Sequence, residues 1–248
     1  MHDQPEAGSS PNGIRGNRAV APWWHTLLLV ALLVGGSVVN ARQAHRQALG
    51  THHAARYLLG IGVELVFLLL VWWGLELKEV TLRELAGFPR GLRALMEDFG
   101  AAAVFWIMAM AILAAIGVAL RLLHFSVPQK TLMALAPRTG MEMALWVCLS
   151  ATAGFCEELA FRGYFLRQFG SIAGGMWTGV VCSSLLFGIS HGYEGAAGMI
   201  AITAYGAMFC VLAIVRRSLR PGMIAHTWHD IFSGVMLALL RHFHPPGF

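Results

Sequence analysis

Hydrophobic residues are gathered in seven long runs along the chain, separated by short polar segments. Each run is close to the ~20 residues that an α-helix needs to cross the hydrocarbon core of a bilayer. The runs cover residues 22–40, 57–76, 99–120, 141–161, 175–191, 196–215 and 221–240. This pattern predicts an all-α fold, namely a polytopic membrane bundle of seven or eight transmembrane helices.

The polar segments define the predicted domain organisation. Residues 1–21 are rich in Gly, Pro, Ser and Asn and should form a disordered tail. Residues 22–240 should form a single membrane domain, and residues 241–248 a short C-terminal tail. The sequence Val39-Asn40-Ala41 loosely fits a signal-peptide cleavage site, but the long polar tail before the first run argues against cleavage. Residues 77–98 mix charged and apolar positions at helical spacing, which predicts a short amphipathic helix on the membrane surface.

Composition and charge support a membrane location and indicate an orientation. The chain is 57% hydrophobic and 12% charged, whereas a soluble domain carries about twice that charged fraction. The net charge of +5 comes from basic residues between the runs, and no basic stripe interleaved with aromatics favours nucleic-acid binding. The N-terminal tail and alternate loops hold 11 of the 18 Lys and Arg residues. The positive-inside rule then places the N-terminus in the cytoplasm, and we expect a bacterial-type plasma membrane.

Small residues recur every four positions in the fifth run, at Gly175, Gly179 and Ser183. Such spacing lets helix backbones approach closely in lipid. The fifth helix is therefore predicted to be internal, as a rigid cradle around a site or as ordinary bundle packing.

The polar residues inside the runs are the candidates for chemistry. A charged residue at the middle of a membrane helix costs ~2.5–3.5 kcal/mol on insertion scales, so a cluster of them should face one another. Glu64 stands alone in the second run and is expected to be hydrogen-bonded to a neighbour, whereas His25 should be an interfacial anchor together with Trp23 and Trp24. The later runs contain sets of polar residues: Glu157, Glu158, His191, His226, His229 and Asp230.

Helical spacing assigns different surroundings to the two adjacent glutamates. Glu158 and Arg162 are four residues apart and can form a salt bridge on one helix face. Glu157 points about 100° away from that pair and is therefore the carboxylate left for chemistry. His226 and Asp230 share a face in the same way, and His229 points elsewhere, so it ranks second.

The depths of these side chains agree only in part. By helical rise, Glu157 lies roughly 10–15 Å below the predicted cytoplasmic face and His226 roughly 6–10 Å below it. His191 would lie ~25 Å deep if its helix began at the membrane surface. The glycines from residue 188 onward indicate that this helix ends inside the protein, with irregular backbone lining a cavity.

Peptide hydrolysis is a chemistry that this set of side chains can perform. A buried glutamate can act as a general base on water, and histidines can stabilise the developing oxyanion. If zinc or another divalent metal is bound, His191 and His226 with one carboxylate would leave an open position for water. The HExxH signature is absent, so a metal-free glutamate mechanism is equally open. The four cysteines lack CxxC spacing and are predicted to be free thiols.

Three motifs on separate runs carry a resemblance. In order they are Glu157-Glu158-x-x-x-Arg162, Phe187-x-x-x-His191 and His226-x-x-x-Asp230. Together they resemble the CPBP family, the Abi/CAAX prenyl endopeptidase family of intramembrane proteases, over roughly residues 140–240. The resemblance implies that Glu157 activates water, that Arg162 holds Glu158, and that His191, His226 and residue 230 position the water, bind a metal or stabilise the oxyanion. The third motif often ends in Asn, and an ionised Asp230 cannot donate a hydrogen bond to an oxyanion.

The predicted function is an intramembrane endopeptidase that hydrolyses a peptide bond near the membrane surface. Its substrate would be a lipid-modified or membrane-anchored protein or peptide. The alternative is a non-enzymatic membrane protein, such as an immunity factor, that retains the pocket for binding. A small transporter is less favoured, because the chain shows no convincing internal repeat.

Overall fold

The described structure is helical, as the hydrophobic runs predict. A computed structural model describes residues 18–47, 53–87, 91–126, 132–172 and 174–243, with the backbone alone for residues 44–47. Its main helices are α1 (Trp23–Gln47), α2 (His53–Glu76), α3 (Leu82–Ala86), α4 (Leu92–Leu122), α5 (Gly140–Ile172), α6 (Met176–Ser190), α7 (Gly195–Arg216) and α8 (Arg220–Phe243). These ranges contain no strand, which confirms the all-α fold class.

Six of the helices are long and apolar enough to cross a membrane: α1, α2, α4, α5, α7 and α8. The fifth predicted run, residues 175–191, forms α6, which has only 15 residues. At 1.5 Å per residue, α6 is about 22 Å long, less than the ~30 Å hydrocarbon core. The chain is thus a multi-pass integral membrane protein with one shorter internal helix.

The chain ends differ from the predicted tail boundaries where the structure describes them. Residues 1–17 and 244–248 lie outside the described residues. Val20 and Ala21 are buried, and their backbone N–H groups donate to Oε1 of Gln168 at 2.8 and 3.1 Å. Nε2 of Gln168 in turn donates to the carbonyl of Ala21 at 2.8 Å. Residues 20 and 21 therefore pack with the helices, and α8 extends to Phe243.

The expectation of one amphipathic helix over residues 77–98 is wrong. Helix α3 has five residues, begins at the N-cap Thr81, and is followed by Gly87 with φ of 66°. The end of the segment belongs to α4, where Asp98 is 2% exposed. Its carboxylate binds Arg216 of α7 at 3.5 Å and Arg220 of α8 at 2.5 Å. This buried carboxylate fastens the ends of three helices together, a long-range contact that helical spacing does not reveal.

His25 also differs from its prediction as an interfacial anchor. Its side chain is fully buried, with Nδ1 at 2.8 Å from the Tyr164 hydroxyl and Nε2 at 3.0 Å from the Leu70 carbonyl. Because a carbonyl only accepts, Nε2 donates to Leu70. His25 therefore joins α1 to α2 and α5, whereas Trp23 and Trp24 are exposed.

Helix α6 packs tightly against α5, as its small residues predict. A Cβ at Gly179 would collide with the Leu166 carbonyl oxygen. One turn later, the Ser183 hydroxyl donates to the Phe161 carbonyl at 2.7 Å. The four cysteines are free thiols, as expected.

Candidate active site

The first motif lies at a change of helix type within α5. Residues 158–165 of this helix are π-helical, and all eight are buried. Single π-turns inside α-helices are rare and occur frequently at functional sites. The π segment starts directly after Glu157 and contains both Glu158 and Arg162. Nothing in the residue pattern predicted it.

Glu158 and Arg162 form the predicted salt bridge. Nη1 of Arg162 donates to Oε1 of Glu158 at 2.8 Å, and both side chains are excluded from solvent. The guanidinium lies 4.3 Å from the ring centre of Phe187 and 4.8 Å from that of Phe209. Nη2 also donates to the Gly206 carbonyl at 3.3 Å. The pair is therefore held from α5, α6 and α7 at once.

His226 connects this pair to the remaining carboxylates. Its Nδ1 lies 3.1 Å from Oε1 of Glu158, and since that oxygen belongs to a carboxylate already paired with arginine, Nδ1 is the donor. Its Nε2 lies 3.7 Å from Oε2 of Glu157 and 3.8 Å from Oδ2 of Asp230. Gly222 permits this approach, because a Cβ there would lie 2.8 Å from Oε2 of Glu158. Glu157, His226 and Asp230 thus converge, with Nε2 of the imidazole facing two carboxyl groups.

His191 lies at the end of α6, where the chain leaves the helix. Its Nδ1 is 2.8 Å from the Phe187 carbonyl, so Nδ1 donates and a neutral ring keeps its lone pair on Nε2. The Phe187 ring lies edge-on to both imidazoles, with centres 4.9 Å from His191 and 6.0 Å from His226. Phe187 therefore packs against His191 as predicted, and also against His226.

These residues lie in the part of the chain that matches a known family. Residues 139–232 match the model of the type II CAAX prenyl endopeptidase Rce1-like family. The match covers α5, α6, α7 and the first half of α8, and includes all three motifs. It confirms the resemblance seen in the sequence. It also supports the general assignment of a CAAX-type membrane protease, which is a hydrolase. Neither the curated proteins nor the solved structures contain a match to the chain.

Helix α1, outside the Rce1-like segment, fixes the turn that carries His191. The Ser37 hydroxyl donates to the Ile189 carbonyl at 2.5 Å and accepts from the Gly192 N–H at 3.2 Å. A 3₁₀ turn, Gly192–Glu194, follows before α7 begins. The predicted irregular backbone after the fifth helix is present, and a serine some 150 residues earlier in the chain holds it.

Glu64 of α2 lies near the cluster, although the sequence did not place it among the site residues. It was expected to be hydrogen-bonded to a neighbour, and Glu157 lies within its electrostatic reach. His226 and Asp230 also lie within its electrostatic reach. The only sequence signal was a lone acid in an apolar run, because helical spacing relates residues on one helix and says nothing about a partner on another. His229 lies apart as predicted, with its ring centre 4.8 Å from that of Tyr205.

The histidines do not form a three-ligand metal centre. Within the described ranges, no group of three or more His, Cys, Asp or Glu side chains is placed to hold a metal ion. Nδ1 of His226 is engaged by Glu158 and Nδ1 of His191 by the Phe187 carbonyl, a second contact that metal-binding histidines also make. A metal at His191 and His226 therefore stays a prediction, and the mechanism proposed below uses none.

Proposed function

We propose that the chain is an intramembrane endopeptidase that hydrolyses a peptide bond near the membrane surface. Its substrate is a lipid-modified or membrane-anchored protein or peptide. The observation that carries the proposal is the 3.7 Å separation between the Glu157 carboxylate and Nε2 of His226, inside the Rce1-like segment. The Glu157 side chain retains 16% exposure, and its Oε2, which faces the imidazole, is buried without a hydrogen-bond partner. A buried oxygen of this kind needs a partner, and a water molecule can supply it.

Glu157 is assigned as the general base. Its separation from Nε2 of His226 is too long for a direct hydrogen bond, and a water molecule can lie within reach of both atoms. Glu157 takes a proton from this water while the water oxygen bonds to the peptide carbonyl carbon. The lone pair on Nε2 of His191 offers a second acceptor for orienting the water.

The tetrahedral intermediate that follows needs a hydrogen-bond donor for its oxyanion. His226, protonated on both nitrogens, donates from Nε2 to that oxygen while Nδ1 stays on Glu158. An ionised Asp230 has no proton to donate, so it is assigned to hold the imidazolium in place. The proton on Glu157 then passes to the amide nitrogen as the C–N bond breaks. A carboxylic acid and an amine leave, and Glu157 is again a carboxylate.

The side of the membrane follows from the charge distribution. When the short α6 is counted as a crossing together with the six longer helices, the N-terminal tail and the loops on its side hold 11 of 18 basic residues, which supports a cytoplasmic N-terminus in a bacterial-type plasma membrane. Glu157 and His226 belong to the halves of α5 and α8 nearer to that side. The bond cleaved is therefore proposed to lie close to the cytoplasmic surface.

Cleavage by purified variants tests the proposal. The protein in detergent is offered membrane-anchored peptides, and wild type is expected to cleave them. Glu157→Gln should reduce kcat by about 10²–10⁴-fold because the general base is lost. His226→Ala should reduce it by about 10²–10³-fold because the oxyanion loses its donor, and His191→Ala should also slow cleavage.

His229→Ala is the matched control on α8. Unchanged cleavage in Glu157→Gln, His191→Ala and His226→Ala would refute the proposal.

The same glutamate separates the protease from a non-enzymatic binding or immunity protein. Gln has nearly the shape of Glu but cannot take a proton from water. A binding protein should mostly tolerate Glu157→Gln in an assay of its biological effect, whereas a protease should lose that effect.

A further inference from the structure

A single side chain of α1 binds the backbone on both sides of His191. Ser37 is 6% exposed and lies outside the Rce1-like segment. Its hydroxyl donates to the carbonyl of Ile189 at 2.5 Å and accepts from the N–H of Gly192 at 3.2 Å. One oxygen atom of α1 is therefore bonded to the residues two before and one after this histidine, and we call these two hydrogen bonds the Ser37 clamp.

The clamp acts beyond the point where helix packing ends. A Cβ at Gly188 would collide with the hydroxyl of Thr203, so α6 is packed on α7 up to that residue. Helix α6 ends at Ser190, and the last carbonyl groups of a helix have no N–H one turn further along to bind. The chain then turns through Gly192–Glu194 into α7. The Ser37 hydroxyl therefore supplies a partner where the helix no longer can.

The His191 ring is oriented by atoms of its own helix. Its Nδ1 lies 2.8 Å from the Phe187 carbonyl oxygen and 3.1 Å from the Ser190 hydroxyl. These contacts set the rotation of the ring, but they move together with the end of α6. The clamp adds a fixed point on another helix, and it thereby sets where Nε2 of the ring lies relative to Glu157.

We propose that Ser37 is a positioning residue that acts through His191. Its hydroxyl fixes the turn and holds Nε2 of His191 where that nitrogen can orient the water that Glu157 activates. The inference rests on the proposed function, because that function gives the lone pair on Nε2 its role. No bond or proton changes at Ser37 during the reaction.

Removing and then restoring the hydroxyl separates this role from simple packing. Ser37→Ala should lower kcat by about 10–100-fold with little change in KM, as expected when a side chain that orients a reacting group loses its support. Ser37→Thr keeps the hydroxyl and should retain kcat close to wild type. The matched control is Ser171→Ala, which removes a hydroxyl that donates to the Gln168 carbonyl within α5 and should leave kcat unchanged.

A double-mutant cycle with His191 tests the route of the effect. If Ser37 acts through the imidazole, Ser37→Ala should cost nothing further in a His191→Ala background. Equal losses in both backgrounds would mean that Ser37 supports the site by another route, and would overturn the positioning role. Wild-type kcat in Ser37→Ala, or an equal loss in Ser37→Ala and Ser37→Thr, would overturn it as well.

Gly192→Ala breaks the clamp from the other side and tests the inference if Ser37→Ala does not fold. A Cβ at Gly192 would lie 2.6 Å from the Ser37 hydroxyl oxygen, and this short side chain can rotate away. The value of kcat should then fall as predicted for Ser37→Ala. A folded Gly192→Ala protein with wild-type kcat contradicts the inference.

Hydrogen exchange tests the clamp without any substrate. The Gly192 amide should exchange about 10-fold faster in Ser37→Ala than in wild type or Ser37→Thr, because its N–H loses a buried partner. Unchanged exchange overturns this inference alone if wild type cleaves anchored peptide. A wild type that protects the Gly192 amide but cleaves no anchored peptide overturns the proposed function, and the positioning role with it.

Discussion

Glu157 and Glu158 are neighbours in sequence with different surroundings. Glu158 is fully buried and accepts hydrogen bonds from both Arg162 and His226. Glu157 keeps 16% of its side-chain exposure and faces Nε2 of His226 without a direct hydrogen bond to it. The first carboxylate is therefore held in place, whereas the second is the one proposed to bind water and receive its proton.

Loss of the arginine should show what holds Glu158. Arg162→Met leaves a buried carboxylate without its cation, which typically costs about 3–5 kcal/mol when one partner of a buried pair is removed. We expect a clear fall in the thermal unfolding temperature in detergent, together with lower activity because His226 loses a fixed partner.

The control for that substitution is Arg93→Met. Arg93 pairs with Glu97 at 3.0 Å, also at i and i+4, but their side chains are 94% and 53% exposed. Solvent screening makes such pairs contribute little, so no measurable change is expected. If Arg162→Met unfolds at the wild-type temperature, Glu158 is not held by its ion pair.

The residues that sequence could predict are those related by local spacing. Glu158 with Arg162 and Phe187 with His191 are four residues apart on one helix, so helical geometry alone brings them into contact. The contact of Ser37 with Gly192 joins residues that are 155 positions apart in the chain, and no periodicity encodes it. The same reason explains why His25 was placed at an interface rather than against Tyr164.

At the scale of helices, the length of α6 resolves the depth of His191. A helix crossing the whole bilayer would carry this residue far from Glu157. Helix α6 ends at Ser190 after 15 residues, and Ser37 of α1 binds the backbone around its end. The glycines after residue 188 indicated this irregular end, but the π segment in α5 had no comparable signal.

The contact between α5 and α8 sets the distance between Glu157 and His226. Gly154 lies one turn before Glu157, and a Cβ there would lie 2.9 Å from the backbone nitrogen of Thr227 and 3.0 Å from the carbonyl oxygen of Met223. These neighbours are backbone atoms of a helix and cannot move aside individually. A side chain at this position must push the two helices apart.

Gly154→Ala should therefore lower both stability and kcat. The expected result is a lower unfolding temperature in detergent and slower cleavage of anchored peptide by the folded fraction. Gly100→Ala is the control, because a Cβ at Gly100 on α4 meets nothing within 4 Å. There the loss of backbone freedom in the unfolded chain should leave stability unchanged or raise it by roughly 0.5–1 kcal/mol. A Gly154→Ala protein as stable and active as wild type would contradict this packing.

At the scale of the whole molecule, the first half of the chain supports the Rce1-like segment. His25 binds Tyr164 and the Leu70 carbonyl, and Ser37 binds the turn after α6. Composition and run length were sufficient to predict a polytopic helical membrane protein. They gave no indication that α1 and α2 contact the site, because those contacts depend on the three-dimensional arrangement of the helices.

The measurement that tests the account most directly is a single turnover in H₂¹⁸O with a chelator present. Purified protein in excess cleaves a membrane-anchored peptide, and mass spectrometry measures ¹⁸O in the new carboxyl group. Because Glu157 is proposed to activate water for direct attack, wild type should incorporate one ¹⁸O atom despite the chelator, and Glu157→Gln should give almost no product. Cleavage that stops with chelator and returns with added zinc, a product without ¹⁸O, or normal cleavage by Glu157→Gln would contradict the account.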